Sequence, residues 1–356
     1  MLAPGSTIGI LGGGQLGRMT AFAAARLGYR CHIYAEDPDE PGPQVTSLAT
    51  IARLDDREAL TRFAGSVDVV TYETENIPLE TVEALLPLVP VRPGEGVLRV
   101  AQDRLREKDY LRSIDVATAP YREVTSADSL ARARRDLGPL SVLKTVRMGY
   151  DGKGQVKVTP EIDNDSAWAA MSGSLGILEG FIDYRCEISV IVARGMNGAI
   201  VNYPPVENQH ANHILDTTLA PARLSPELAM RAEAIARHIA ERLDVVGVLA
   251  VEMFVTSTDE ILVNELAPRP HNSGHWTLDA CHTSQFEQLV RAITGLPLGS
   301  TDRHSDAVMR NLIGSDIEKW RDVLADPSAK LHLYGKKEAR PGRKMGHVTR
   351  LIPRDR

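Results

Sequence analysis

Two apolar runs separated by a polar turn constrain this chain more than any other feature. Val246 to Val255 and Glu260 to Leu266 flank Thr256-Ser257-Thr258-Asp259, a spacing that predicts an antiparallel hairpin. Folding about that turn sets Glu252 opposite Glu265. Like charges directly across a strand pair destabilise a sheet, and buried carboxylates are costly unless compensated. A divalent cation held together with a nucleotide's phosphates supplies the compensation, and Asn264 adds a neutral oxygen ligand. The bland alternative turns one of the two Glu side chains to solvent.

A chain of 356 residues exceeds one small core and suggests two or three domains. Its net charge of −6 recommends neither nucleic acid nor an anionic membrane as partner, so an anionic substrate must be met by local Lys and Arg. Cys31, Cys186 and Cys281 are widely spaced and odd in number, without metal-binding or disulfide spacing, as expected of a reducing compartment. With no signal-like start and no run of about 18 apolar residues, a cytoplasmic location is expected.

Strand-like and helix-like patterns alternate at the start: strand Thr7 to Leu11, a helix to Leu27 stopped by Gly28, strand Arg30 to Tyr34, strand Val67 to Tyr72 and helix Leu79 to Leu86. This predicts an α/β fold, with a Rossmann-like parallel sheet domain over residues 1–96. A central part, 97–182, has helices Asp103 to Arg112 and Ala127 to Leu137. Its strands Ser141 to Thr145 and Gln155 to Val158 flank a glycine-rich loop, and strand Gly176 to Phe181 follows. The larger remainder, 183–356, contains strand Cys186 to Ala193, a helix opened by Ser225-Pro226 and the acidic hairpin. It ends in a helix near Ile317 to Leu324 and strands near Lys330 to Tyr334 and His347 to Leu351.

Gly12-x-Gly14-x-x-Gly17 satisfies the dinucleotide fingerprint, and Glu36 lies where an NAD enzyme places its ribose acid. The physics is only that of backbone N–H groups and a helix N-terminus receiving a phosphate, so a ribonucleotide 5′-phosphate fits as well. Glu73, in Thr71-Tyr72-Glu73-Thr74-Glu75-Asn76, lies at the C-terminal edge of a parallel strand, where open α/β sheets bind ligands. Arg104, Lys108 and Lys144 join the loop Gly149-Tyr150-Asp151-Gly152-Lys153-Gly154-Gln155 in a cationic set able to close over a triphosphate. Lys144, among apolar neighbours on a strand, needs a phosphate or carboxylate partner. His210 sits in a polar stretch read as a loop, and Lys336 and Arg343 read as an ordinary basic face.

After the hairpin comes Ala267-Pro268-Arg269-Pro270-His271-Asn272-Ser273-Gly274-His275. With Asn264-Glu265 before it, this stretch resembles the ATP-grasp superfamily. The Arg-Pro-His-Asn-Ser-Gly-His variant is similar to the 5-(carboxyamino)imidazole ribonucleotide synthetase family, and five motifs from Gly12 to Arg343 occur in that family's order. The resemblance implies ATP and Mg²⁺ (or Mn²⁺) as cofactors, with 5-aminoimidazole ribonucleotide and bicarbonate as substrates. It also implies a homodimer, with neither nucleic acid nor membrane as partner. It implies ATP binding by Arg104, Lys108, Lys144, Gly149 to Gln155, Glu179-Gly180-Phe181-Ile182, Glu187, His210, Asn264 and Glu265. Glu252 and Glu265 would hold metal. Gly14, Gln15, Leu16, Glu73, Asn76, Tyr150, Lys153, Lys336 and Arg343 would bind the ribonucleotide. Arg269, His271, Asn272 and Ser273, with Lys144, would carry the chemistry. One departure is Met148, which stands where the loop commonly has glycine. A competing reading, an NAD-dependent dehydrogenase, accounts for the N-terminal glycines but not for the acidic hairpin or the Lys144 loop; another ATP-grasp ligase of purine intermediates is the nearer alternative.

Overall fold

The computed structural model describes residues 1–149, 153–171 and 174–354. The N-terminal sheet is parallel, in the order β3-β2-β1-β4, with β1 Thr7–Leu11, β2 Arg30–Ala35, β3 Leu48–Ile51 and β4 Val69–Tyr72. β1 and β4 are buried on both faces, as parallel strands covered by helices must be. Helix Gln15–Arg26 ends where Gly28 adopts φ +80°, a left-handed conformation that glycine reaches without a Cβ clash. Helices Arg57–Ala64 and Leu79–Leu85 cover the other face through Leu60, Phe63, Val82 and Leu85.

A small antiparallel sheet follows in the order β5-β8-β6-β7 (β5 Tyr121–Val124, β6 Ser141–Thr145, β7 Gln155–Val158, β8 Gly176–Gly180). Helices Ala127–Leu137 and Asn164–Ala170 pack on one face around Leu130, Leu143 and Leu178, a core of their own. Alternation along β6 then turns Val142 and Lys144 to the opposite face.

The remaining strands form one long antiparallel sheet: β9 Tyr184–Arg194, β10 Ile200–Asn202, β11 Val206–Ala211, β12 Ile214–Ala220, β13 Gly247–Thr256, β14 Ile261–Ala267, β15 Ser305–Ile313, β16 Ala329–Leu333 and β17 Lys344–Pro353. Its order is β14-β13-β9-β11-β12-β15-β17-β16, with β10 on β9. Helix Pro226–Arg242 is capped by Ser225, whose side chain accepts from the Leu228 N–H, with Pro226 at the first helical position. It buries Leu228, Ala232, Ala236 and Ile239 on this sheet. Among the described residues no helix is long and apolar enough to cross a membrane.

Several elements differ from the sequence expectation. The stretch holding His210 is strand β11, not a loop: it reads Val-Glu-Asn-Gln-His-Ala, and His210 on it lines a cleft. β3, β5, β12, β15 and helices Arg57–Ala64, Glu95–Ala101, Asn164–Ala170 and Gln285–Thr294 are additional. The last of these matters most. Phe286, Leu289, Val290 and Ile293 share one core with Ile8, Ile10, Met19 and Ala24 of the N-terminal unit and with Ile191, Val248 and Met309 of the long sheet.

Trp276, fully buried in that shared core, should cost about 3–5 kcal/mol when replaced by Ala. Denaturant unfolding of Trp276→Ala, followed by far-UV circular dichroism and by a probe in the N-terminal unit, should give coincident, lowered midpoints. Separate midpoints for the two probes would mean that the core is not energetically shared.

Candidate active site

The hairpin has the predicted register. Glu252 on β13 lies opposite Glu265 on β14, and the next pair is Met253 with Val263, so Asn264 is the extra residue of a bulge. A bulge re-aims a side chain and interrupts pairing. Here it leaves the Asn264 Oδ1 buried with no hydrogen-bond partner. Two carboxylates and an orphaned amide oxygen make a hard-oxygen donor set that fits a magnesium-sized cation.

Each of these carboxylates has an organic partner too. Arg104 Nη1 donates to Glu265 Oε2 at 2.9 Å while its Nη2 donates to the Gly149 carbonyl at 3.3 Å. Burial alone would raise the Glu265 carboxyl, but the Arg104 charge outweighs it and holds the group down at about 2. Glu252 lies 3.0 Å from His271 Nε2. On the facing small sheet, Lys144 and Glu179 are diagonal neighbours across β6 and β8, and Lys144 Nζ donates to Glu179 Oε2 at 2.7 Å. The partner that Lys144 required is therefore a carboxylate. Burial opposes the charged form of Glu179, yet Lys144 and Lys108 bring its carboxyl to about 2.

At the N-terminal unit the glycine-rich turn is occupied by acid. Glu73 accepts hydrogen bonds from the Gly14 and Gly17 N–H groups, the latter at 2.6 Å, and Glu40 accepts from Gly13 at 3.1 Å. A Cβ on Gly12 would come within 2.5 Å of the Glu73 side chain, and Gly12 has φ +101°. The glycines thus admit a buried carboxylate, whose protonation burial favours. Glu36, expected as a ribose acid, instead accepts from the Leu54 N–H at 3.3 Å. Nearby, Arg269 grips Glu75 through Nε and Nη2. Burial would raise Glu75, and Arg269 more than reverses it.

These groups surround one cleft of about 1350 Å³ between the small sheet, the long sheet and the N-terminal unit. Glu187 on β9 closes its far end, bound by Tyr184 OH at 2.6 Å and His210 Nδ1 at 2.9 Å, beside stacked rings of Tyr184 and Phe254. Burial pulls the His210 imidazole down, but Glu187 raises it overall. Lys336 and Arg343 enter from the segment between β16 and β17. That segment is anchored by Tyr334 OH on His347 Nδ1 at 2.9 Å and by His332 on Asp279 at 2.9 Å.

Three models of known families cover nearly all of the chain: a ribonucleotide synthetase preATP-grasp domain over residues 5–102, an ATP-grasp domain over 109–286, and a phosphoribosylaminoimidazole carboxylase C-terminal domain over 307–355. An N5-carboxyaminoimidazole ribonucleotide synthase of Brucella melitensis is 49% identical over 355 residues, 99% of this chain and 98% of that protein. The chain belongs to the N5-carboxyaminoimidazole ribonucleotide synthase family. The Thermus thermophilus synthetase has the same fold with a TM-score of 0.91 at 44% identity, covering 98% of this chain and 94% of that one. An Aspergillus clavatus synthase, solved with ADP and 5-aminoimidazole ribonucleotide, superposes with a TM-score of 0.93 at 31% identity over 98% and 94% of the two chains.

Of the residues expected at a synthase site, Gln15, Leu16, Glu73, Asn76, Arg104, Lys144, Gly149, Lys153, Gln155, Glu179 to Ile182, Glu187 and His210 line this cleft. So do Glu252, Asn264, Glu265, Arg269, His271, Asn272, Lys336 and Arg343. Tyr150, Asp151 and Gly152 lie outside the described residues. Four others are placed elsewhere. Lys108 is buried beneath the cleft, donating to the Val263 and Asn264 carbonyls at 3.3 and 2.7 Å. Ser273 is fully buried behind His271. Gly14 presents its N–H to Glu73, and Gly154 closes the β6–β7 hairpin through its carbonyl, which accepts from the Thr145 N–H at 2.7 Å. Arg269, which the resemblance placed in the chemistry, has its guanidinium fork on Glu75. Met148 adopts φ 63°, the left-handed conformation that suits the usual glycine.

Sequence reasoning passed over Glu75, Glu107 and Phe254. Glu75 sits two residues beyond Glu73 in the turn that follows β4, where no strand or helix period announces it. Phe254 stands two residues after Glu252 on β13, so strand alternation was its signal. Glu107 is a buried helical carboxylate that accepts from the Leu266 N–H at 2.9 Å and is pushed up to about 8, chiefly by burial; only the folded structure shows it.

Removing Glu179 leaves the buried Lys108 and the partly buried Lys144 without their carboxylate, so Glu179→Gln should lose about 3–5 kcal/mol near neutral pH. Because the folded carboxyl lies at about 2, below its ordinary 4.5, the pair's contribution is complete above 4.5. It is lost as pH falls towards 2. Urea unfolding of both proteins across that range should show the difference closing; a constant difference would deny the charge pair.

Proposed function

We propose that this chain carboxylates the exocyclic amine of 5-aminoimidazole ribonucleotide with bicarbonate at the expense of ATP, releasing N5-carboxyaminoimidazole ribonucleotide, ADP and phosphate for purine biosynthesis. The single observation that carries the reading is the Glu252–Asn264–Glu265 oxygen set facing the Arg104 and Lys144 cations across one cleft, in a chain of this family.

Glu252, Glu265 and the Asn264 amide oxygen would hold Mg²⁺, which when bound neutralises charge on the nucleotide's phosphates. Arg104 and Lys144 already stand as fixed cations at this place, at no cost of reorganisation when negative charge develops. The stacked Tyr184 and Phe254 rings, with Glu179 to Ile182, supply a flat wall and strand-end backbone for a purine base, and Glu187 a carboxylate for ribose hydroxyls. Lys336 and Arg343 supply cations for the ribonucleotide phosphate; Gln15, Leu16, Glu73 and Asn76 line the same side.

A bicarbonate oxygen attacks the γ-phosphorus, the bond to the β-phosphate oxygen breaks, and carboxyphosphate and ADP form. The amine nitrogen then bonds to the carboxyl carbon, phosphate leaves and the nitrogen gives up a proton. Asn272 suits this acid: its Oδ1 and Nδ2 are both buried at the cleft wall without partners. It can accept from the bicarbonate hydroxyl and donate to its carboxylate at once. Arg269, held by Glu75, is better placed to position this segment than to clasp the acid.

A homodimer in the cytoplasm belongs to the same proposal. Exposed Phe22 and Leu333 flank an apolar hollow beside the edge strand β16, and three unpaired cysteines suit a reducing setting.

ADP release with Mg-ATP should rise sharply when the ribonucleotide and bicarbonate are present together, and the product should carry the bicarbonate carbon. Stimulation by a different amine acceptor instead would replace the substrate while leaving the ATP site. Glu265→Gln, nearly isosteric, should keep the circular dichroism spectrum and lose at least ~100-fold in turnover. Near-normal turnover would end the metal assignment.

A further inference from the structure

A line of hydrogen-bonding side chains leads from Glu252 into the protein. His271 Nε2 lies 3.0 Å from Glu252 Oε1, and His271 Nδ1 lies 2.8 Å from Ser273 Oγ. Ser273 Oγ is 2.6 Å from Ser189 Oγ. Asn208 Nδ2 donates to Ser189 Oγ at 3.0 Å, and Thr218 Oγ1 donates to Asn208 Oδ1 at 3.1 Å. Ser189, Asn208 and Thr218 stand on β9, β11 and β12, three neighbours of the long sheet, and all are buried.

Both ends fix the direction of this line. At the outer end the Ser273 backbone N–H, which can only donate, points at His271 Nδ1 at 3.4 Å. Nδ1 is therefore an acceptor, and the ring hydrogen is on Nε2, facing a carboxylate that can only accept. At the inner end the Thr218 hydroxyl bonds to Asn208 Oδ1, which likewise only accepts. That turns the Asn208 Nδ2 to Ser189. The Ser189 hydrogen is then left for Ser273, and the Ser273 hydrogen for His271. Every hydroxyl donates the same way, from Thr218 towards Glu252.

We propose that Ser189, Asn208 and Thr218 are positioning residues for the carboxylation. Their one-way chain holds His271 in the tautomer with its hydrogen on Nε2, aimed at Glu252. The proposal rests on the reading of Glu252 as a metal-holding carboxylate. A ring hydrogen aimed at Glu252 fixes the carboxylate's rotation and offsets part of its repulsion from Glu265. The opposite tautomer would set a ring lone pair against it and swing it away. Asn208 is the link that sets direction, because a hydroxyl rotates freely whereas an amide has distinct donor and acceptor ends.

Asn208→Asp keeps the shape and replaces the donor end by an acceptor. The Ser189 hydrogen then turns to Asp, the Ser273 hydrogen to Ser189, and His271 Nδ1 must supply a hydrogen to Ser273. Ring-nitrogen NMR of the histidine-labelled, ligand-free protein, with His271 assigned by its loss in His271→Asn, reads this directly. The wild-type ring should carry hydrogen on Nε2 and none on Nδ1. In Asn208→Asp, Nδ1 should gain one and kcat should fall by about 10–100-fold, with the KM for ATP little altered. Thr218→Val, which unpins the amide, should move both readouts the same way, and Thr218→Ser should restore them. An unchanged His271 hydrogen pattern in Asn208→Asp, or a Thr218→Ser protein as impaired as Thr218→Val, would overturn the proposal. So would a shifted tautomer with unaltered turnover. Should Asn208→Asp not fold, the Thr218 pair carries the test. Because the NMR readout needs no nucleotide or substrate, failure of the chain and failure of the functional reading are separable.

Discussion

Two carboxylates set face to face on one hairpin govern much of what surrounds them. Glu252 and Glu265 occupy a register that repels, and the protein answers with charges drawn from distant parts of the chain. Arg104 comes from a helix about 160 residues upstream, and His271 from the segment just beyond the hairpin. Removing either partner would leave a charge in a low-dielectric wall, where its cost is largest. The same logic repeats around the cleft in Lys144 with Glu179, Arg269 with Glu75, and His210 with Glu187. The cleft is thus lined by charges that are already paired internally.

This arrangement links the sheets mechanically. Arg104 reaches both Glu265 and the Gly149 carbonyl, so it touches the acidic hairpin and the start of the glycine-rich loop at once. Gln285 clasps the backbone of His271 on both sides, accepting from its N–H at 2.8 Å and donating to its carbonyl at 2.7 Å. Gly274 allows this approach, since a Cβ there would come within 2.5 Å of the Gln285 side chain. The cleft-lining segment at His271 is thereby pinned to a helix of the shared core.

The hairpin, its register and most elements of the small sheet were legible from periodicity, because alternation and turn chemistry are local. The Ser225 cap and the Gly28 stop were legible for the same reason. β11 was not, since a strand whose side chains serve a site lacks the apolar alternation that announces strands. Among site residues, those tied to a repeating pattern (Lys144, Glu252, Glu265) could be named from sequence, whereas pairings such as Arg269 with Glu75 depend on contacts 194 residues apart. The glycine fingerprint is the instructive case: it specifies backbone N–H groups free of Cβ obstruction, not the group that meets them, and in this structure the Gly14 and Gly17 N–H groups donate to Glu73.

The shared core has a consequence for synthesis. The first helix, Gln15–Arg26, packs against Gln285–Thr294, a segment that leaves the ribosome some 260 residues later. Until then the part of the first helix that meets that segment has no permanent cover. The amino-terminal unit must therefore wait, partly solvated and adhesive, through most of translation. A fold in which a late-made helix helps seal the first-made unit ties solubility of the nascent chain to synthesis of most of the polypeptide, and makes products truncated before that helix sticky rather than merely inactive.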